Sequence, residues 1–218
     1  MRIVETKVYT FDELSDEAKE KAREWWREAS SSDNYWSESV IEDAERIAEC
    51  FGLDLKQNAI PLHSGKTRME PAIHWSGFWS QGDGASFEGT LRPRADAITA
   101  LTDYAPQDEK LASIAASVQA LHVVTGGLLV AVIRTSGHYS HEYSMGFDFE
   151  YPDEEDESSL PDSVKSEAEE LATEAMRDFA RWIYRTLEKE YEWQNADEQV
   201  DDTIRANEYE FEEDGSRA

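Results

Sequence analysis

Apolar positions recur along this 218-residue chain with two different periods, and each period predicts a different kind of element. Near the start, Val4, Thr6 and Val8 alternate with Ile3, Glu5 and Lys7, which predicts a strand over Ile3 to Tyr9. Thr10 and Glu13 then have capping-box spacing, and a helix is expected to begin there. Its body, from Ser15 to about Ala29, places Leu14, Ala18, Ala22, Trp25 and Trp26 on one face. A second helix is predicted from Tyr35 to Phe51, where Trp36, Val40, Ala44, Ile47 and Phe51 repeat at three or four and Gly52 supplies the stop.

From Leu53 the period shortens. A polar loop with Pro61, Gly65 and Pro71 leads into short strands near Ala72 to Trp75 and Ala85 to Leu91, which should pair as a hairpin. Alanine-rich spacing predicts a third helix from about Gln107 to Leu121. Gly126 and Gly127 end it, and the apolar run Leu128 to Ile133 reads as a central, buried strand. Between Tyr139 and Tyr151, Tyr139, His141, Tyr143, Met145, Phe147 and Phe149 alternate with polar residues, the plainest strand signal in the chain. An acidic loop over 152–162 precedes a long helix from about Ser163 to Glu192, with Val164, Ala168, Leu171, Ala175, Phe179, Trp182 and Tyr191 on its apolar face. A short helix and a last strand, Asn207 to Glu212, close the chain. The expected fold is α+β: one domain over 1–218, with an antiparallel sheet of about five or six strands and helices packed on one face.

Charge changes the picture more than hydropathy does. The chain carries 48 acidic and 21 basic residues, a formal net charge of -27. With 39% hydrophobic residues it can still fill a core, so this acidity does not imply disorder. No run of roughly 18 apolar residues is present, and MRIVETKVYTFDEL has neither a basic nor an apolar leader region, so no membrane partner and a cytoplasmic location are expected. Cys50, beside Phe51 on an apolar helix face, reads as a structural thiol. Charge of this sign repels nucleic acid and favours encounter with basic protein surfaces. Positions 150 to 218 hold 24 acidic residues against 7 basic ones, net -17, so the acidity concentrates at the C-terminal end.

Candidate chemistry centres on HWSGFWSQGDGASFEG, His74 to Gly89. Its glycines let backbone amides approach a ligand, and Trp75 and Trp79 offer flat faces for a ring. Trp75, Ser76, Trp79, Gln81, Asp83, Ser86 and Glu88, together with Tyr139 and His141, form the candidate ligand site; a structural hairpin whose QGDG turn needs glycine is the alternative. His138 and His141 would face opposite sides of a strand, so a shared metal is not expected. Asp83, Glu88 and Glu142 offer carboxylates for hydrolysis, but no HExxH, nucleophile elbow or Walker lysine accompanies them, and no cofactor is expected. Arg177, Arg181, Arg185 and Lys189 recur every fourth position on the long helix, where pairing with Glu174, Asp178, Glu188 and Glu192 is the simplest account and a basic patch for a phosphate-bearing ligand is the alternative.

VYTFDELS, WSGFWSQGDGASFEG, GHYSHEYSMGFDFEY and NEYEFEEDG together resemble a family of small acidic proteins of tailed bacteriophages, mostly hypothetical and sometimes labelled as the antitoxin of a toxin and antitoxin system. The resemblance touches segments spread over nearly the whole chain and transfers no catalytic residues. It implies a phage product that disarms a host defence, such as an anti-CRISPR, anti-restriction or antitoxin protein. Joined to the charge, it gives the expectation of an inhibitor that binds a basic host protein or defence complex by imitating nucleic acid. Asp153, Glu154, Glu155, Asp156 and Glu157 in the loop, with Glu167, Glu169, Glu170 and Glu174 on the helix, are the expected contacts. Two other readings stay open, a sponge for a nucleotide signal built on the Trp- and Gly-rich hairpin and a carboxylate-dependent hydrolase. A homodimer is compatible with each.

Overall fold

The computed structural model describes residues 7–31, 34–62, 65–151 and 160–218. It is a mixed helical and antiparallel-sheet fold, and its contacts divide the chain into two compact units, residues 1–38 with 188–218 and residues 39–187.

The first unit is built around the N-terminal helix. The strand expected over Ile3 to Tyr9 falls mostly outside the described residues; the described part begins with β1, Tyr9–Thr10, paired antiparallel with β10, Glu210–Phe211. The capping box forms, with the Thr10 backbone N–H and hydroxyl both donating to the Glu13 carboxylate at 2.8 Å, but it closes a single 3-10 turn at Phe11–Glu13. The helix itself, α1 at Asp16–Ser30, starts one turn later, where the Ser15 side chain accepts the Ala18 N–H at 3.2 Å. Ala18 and Ala22 of α1 pack with Phe11, Leu14 and Phe211 against Val200 and Ile204 of α6, Asp197–Ala206, and Trp25, Trp26 and Tyr209 border that core. Above it, Arg23 makes a two-pronged bond to Asp201, at 2.6 and 2.9 Å.

In the second unit the expected single sheet is replaced by several small ones, and the backbone shows why. Three extended segments each change partner midway. Leu53–Leu55, β2, pairs with Gly89–Leu91, β7; Gln57–Pro61, β3, pairs with Thr67–Pro71, β4; Ile73–Trp75, β5, pairs with Ala85–Phe87, β6. At the switch residues the backbone closes a triangle: Lys56 donates to the Glu88 carbonyl at 2.9 Å, Glu88 to Ala72 at 2.9 Å, and Ala72 to Lys56 at 2.7 Å. No main-chain donor is lost where the ladders diverge, so the junction costs little. The expected hairpin at 73–75 and 85–87 forms, while residues 89–91 join a different sheet, β2-β7-β8-β9.

That sheet places β8, Val130–Thr135, inside it, as its apolar run predicts. The next strand, β9, covers only Met145–Glu150. The alternating stretch before it is not a strand: Glu142–Ser144 is a 3-10 turn, because residues 139–141 pack on the glycine loop instead of extending a ladder. Helices α2, Tyr35–Phe51, and α4, Glu109–Thr125, follow the apolar period, and an additional helix, α3, covers Ala97–Tyr104. Gly52 at φ 79° and Gly126 at φ 62° end α2 and α4 in the left-handed conformation that glycine adopts without strain. The long helix α5, Asp162–Gln194, buries Ala168, Ala172, Met176, Phe179 and Ile183; Phe179 meets Phe51 at 5.3 Å and Phe87 at 5.6 Å between ring centroids.

Candidate functional site

The loop joining β5 to β6 is organised by its own atoms. Asp83 accepts the backbone N–H groups of Trp79, at 3.0 Å, and Ser80, at 2.6 Å, and its own N–H donates to the Ser80 carbonyl at 3.1 Å. Asp83 is therefore a turn cap that occupies the Trp79 and Ser80 amides. Trp75 stacks on Phe78 at 5.9 Å, and Phe78 meets Tyr184 of α5, whose hydroxyl donates to the Gly77 carbonyl at 2.9 Å.

The glycines serve close packing. A Cβ on Gly82, which sits at φ +97°, would lie 3.2 Å from the Tyr139 ring, and a Cβ on Gly84 would lie 2.9 Å from the Ser140 carbonyl oxygen and 3.1 Å from the His141 Cα. Segment 139–141 thus lies on the loop, and the structure does bring Tyr139 and His141 to the hairpin as expected. Ser76 and Ser86 have buried hydroxyl oxygens without a hydrogen-bond partner among the described residues. Gln81 is exposed at the tip.

Glu88 sits at the partner-switch triangle. It accepts from the Lys56 ammonium at 2.7 Å and the Thr135 hydroxyl at 3.0 Å, and the Lys56 bond holds its carboxyl below the usual range against the opposing effect of burial. His141 caps the 3-10 turn by accepting the Tyr143 N–H at 3.2 Å and lies 3.0 Å from Glu142. Glu142 in turn takes the Arg181 Nε at 3.0 Å. Asp83, Glu88 and Glu142 are each engaged in separate internal bonds, so they do not form an acid and base pair. Among the described residues, no group of three or more His, Cys, Asp or Glu side chains is placed to hold a metal ion.

A separate groove of about 420 Å³ is lined by Glu45, Glu49, Gly52, Leu53, Asp54, Leu55, Gln57, Arg92 and Arg94, none of them among the candidate site residues of the sequence. Cys50 is half-buried, its thiol 3.5 Å from the Ala100 carbonyl and pushed up chiefly by burial, which suits a structural thiol.

The expected acidic contacts divide three ways. Asp153, Glu154, Glu155, Asp156 and Glu157 lie outside the described residues. Glu169 receives the Tyr151 hydroxyl at 3.5 Å, and Glu174 bonds Arg181 at 2.7 Å. Glu167 and Glu170 are exposed, and among the described residues no cation lies within ion-pair distance of either.

The family model for the domain of unknown function DUF8835 matches residues 36–197, about three quarters of the chain. The chain belongs to the DUF8835 family. The matched stretch takes in the β5–β6 loop, segment 139–144 and all of α5. No curated protein and no solved structure matches the chain. Among the described residues no helix is long and apolar enough to cross a membrane.

The family match also covers a feature that the sequence pattern had assigned to ordinary pairing. Of the arginine row, only Arg181 is ringed by carboxylates, Glu142 at 3.0 Å, Glu174 at 2.7 Å and Asp178 at 2.8 Å, and the Glu174 bond leads in holding its guanidinium firmly protonated. Arg177 instead lies over the Tyr143 ring at 4.9 Å, and Arg185 is exposed. Among the described residues neither has a carboxylate within ion-pair distance, so intrahelical pairing accounts for Arg181 alone. The spacing of four was the available signal; which members are neutralised depends on Glu142, which is distant in sequence.

Proposed function

We propose that this DUF8835 protein acts by binding, as a phage inhibitor that occupies a basic surface of a host defence protein through the exposed carboxylates at the start of α5. The observation that carries the reading is the state of Glu167 and Glu170. They stand three residues apart on a 33-residue helix fixed by Ala168, Ala172 and Ala175, and no described cation neutralises them. Charges held on a rigid helix lose little freedom when a partner docks, which favours specific over diffuse attraction.

Glu88 and Asp83, by contrast, are held by Lys56 and by loop amides, which weakens the hydrolase reading. The phage assignment rests on the sequence resemblance. Immobilised protein, exposed to lysate of the bacterial host, should retain a basic protein at low salt that duplex DNA displaces. Retention that duplex DNA does not disturb would contradict the nucleic-acid-like part of the proposal.

A further inference from the structure

The strongest unexplained feature of the second unit is a small basic and aromatic surface beside the glycine loop. The chain has 48 acidic residues against 21 basic ones, so an arginine without a carboxylate is unexpected. Among the described residues, Arg177 and Arg185 are two such arginines on one helix. Arg177 lies over Tyr143 at 4.9 Å and Phe147 at 6.0 Å, and its buried Nε has no hydrogen-bond partner among the described residues. Arg185 is exposed and follows Tyr184, which is tied to the loop through Phe78 and the Gly77 carbonyl.

Exposed rings occur on the loop and under Arg177. Trp79 is 77%, Tyr139 70% and Tyr143 63% exposed. Contacts join them into one surface: Tyr139 lies on Gly82, His141 on Gly84, and His141 stacks on Tyr143 at 5.3 Å. Exposed Trp and Tyr cost free energy unless something covers them, and guanidinium groups suit phosphate because they donate two parallel hydrogen bonds.

We propose that this surface binds a small nucleotide, its base stacked on an exposed ring of the loop and its phosphate held by Arg185 and Arg177. The size limit follows from charge. A nucleic-acid polymer would extend into the field of the chain's many carboxylates, whereas a small ligand need meet only the groups of this surface. The site is distinct from Glu167 and Glu170, so it stands or falls independently of the proposed protein contact.

Calorimetry on the full chain with AMP, GMP, adenosine, ribose 5-phosphate and inorganic phosphate tests it. One nucleoside monophosphate should bind at a single site and more tightly than any of the fragments. Trp79→Ala and Arg185→Ala, both at exposed positions, should each weaken binding about tenfold, with unchanged circular dichroism, while Glu167→Lys leaves it intact. Absence of binding by both monophosphates at millimolar concentration overturns the proposal, as does equal affinity in both loop and arginine variants.

Discussion

Arg181 Nε lies 3.0 Å from a carboxylate oxygen of Glu142, so one guanidinium on α5 holds the turn that precedes β9. The same group bonds Glu174 and Asp178, and Lys110 bonds Asp178 at 2.6 Å from α4. Because the Glu142 side chain is only 13% exposed, removing its partner leaves a carboxylate poorly solvated.

Arg181→Ala should therefore destabilise the protein by about 1–3 kcal/mol in urea denaturation. Arg181→Lys should recover only part of the loss, since an ammonium cannot reproduce the forked geometry that serves Glu142, Glu174 and Asp178 together. Full recovery with lysine would show that simple charge is enough.

Gly84 should not tolerate a side chain. Its Cβ would meet backbone at 2.9 and 3.1 Å, so Gly84→Ala must push residues 140–141 off the loop, at about 1–3 kcal/mol. Hydrogen exchange should report faster opening of residues 76–84 and 139–144. Unchanged protection there would mean that the loop and the segment are not mutually braced.

Glu88 gives a pH dependence with a defined sign. Its folded-state pKa is lowered, mainly by Lys56, so its stabilisation is present above its ordinary value of 4.5 and fades as pH falls through the lower folded value. Glu88→Gln should be less stable than wild type at neutral pH by about 1 kcal/mol, and the difference should shrink below pH 4.5. A constant difference across acid denaturation would place the effect in packing.

In the first unit, Asp201→Asn should disturb the bond to Arg23 that spans α1 and α6. Both side chains are mostly covered, 17% and 14% exposed, and the desolvated guanidinium would lose its main carboxylate, a cost of about 1–3 kcal/mol. A melting temperature equal to wild type would show that Glu20 and Asp197 compensate.

The elements ruled by a long apolar period were legible in the sequence. Helix α2 runs over the predicted Tyr35–Phe51, and α5 lies within two residues of its expected ends, because an amphipathic face repeated over many turns leaves little choice of register. Sheet partnership was not legible. Alternation shows which side of a strand is buried but not which neighbour it takes, so the changes of partner at Lys56, Ala72 and Glu88 left no local sign. The misleading alternation at Tyr139 to Tyr143 arose because Tyr139 and His141 pack on glycines of another loop and Tyr143 stacks on His141. Helix α3 is short and stops at Tyr104, just before Ala105, which precedes Pro106, too brief for its period to emerge.

For the candidate site, residue types were readable and their commitments were not. Asp83 and Glu88 looked available in the sequence, yet one caps a turn and the other bonds Lys56 and Thr135. Arg177 and Arg185 looked neutralised, yet among the described residues neither has a carboxylate within ion-pair distance; for Arg177, the neighbouring Glu174 and Asp178 bond Arg181 and Lys110 instead.

The central claim is a protein contact made by the exposed carboxylates of α5, and affinity for the captured partner tests it most directly. Wild type and the Glu167→Lys, Glu170→Lys double variant should be compared by calorimetry at low and high salt, after circular dichroism establishes that both fold alike. Binding by wild type that weakens steeply with salt, and is lost or reduced at least about tenfold in the variant, is the expected result. Equal affinity in a folded variant would contradict the account.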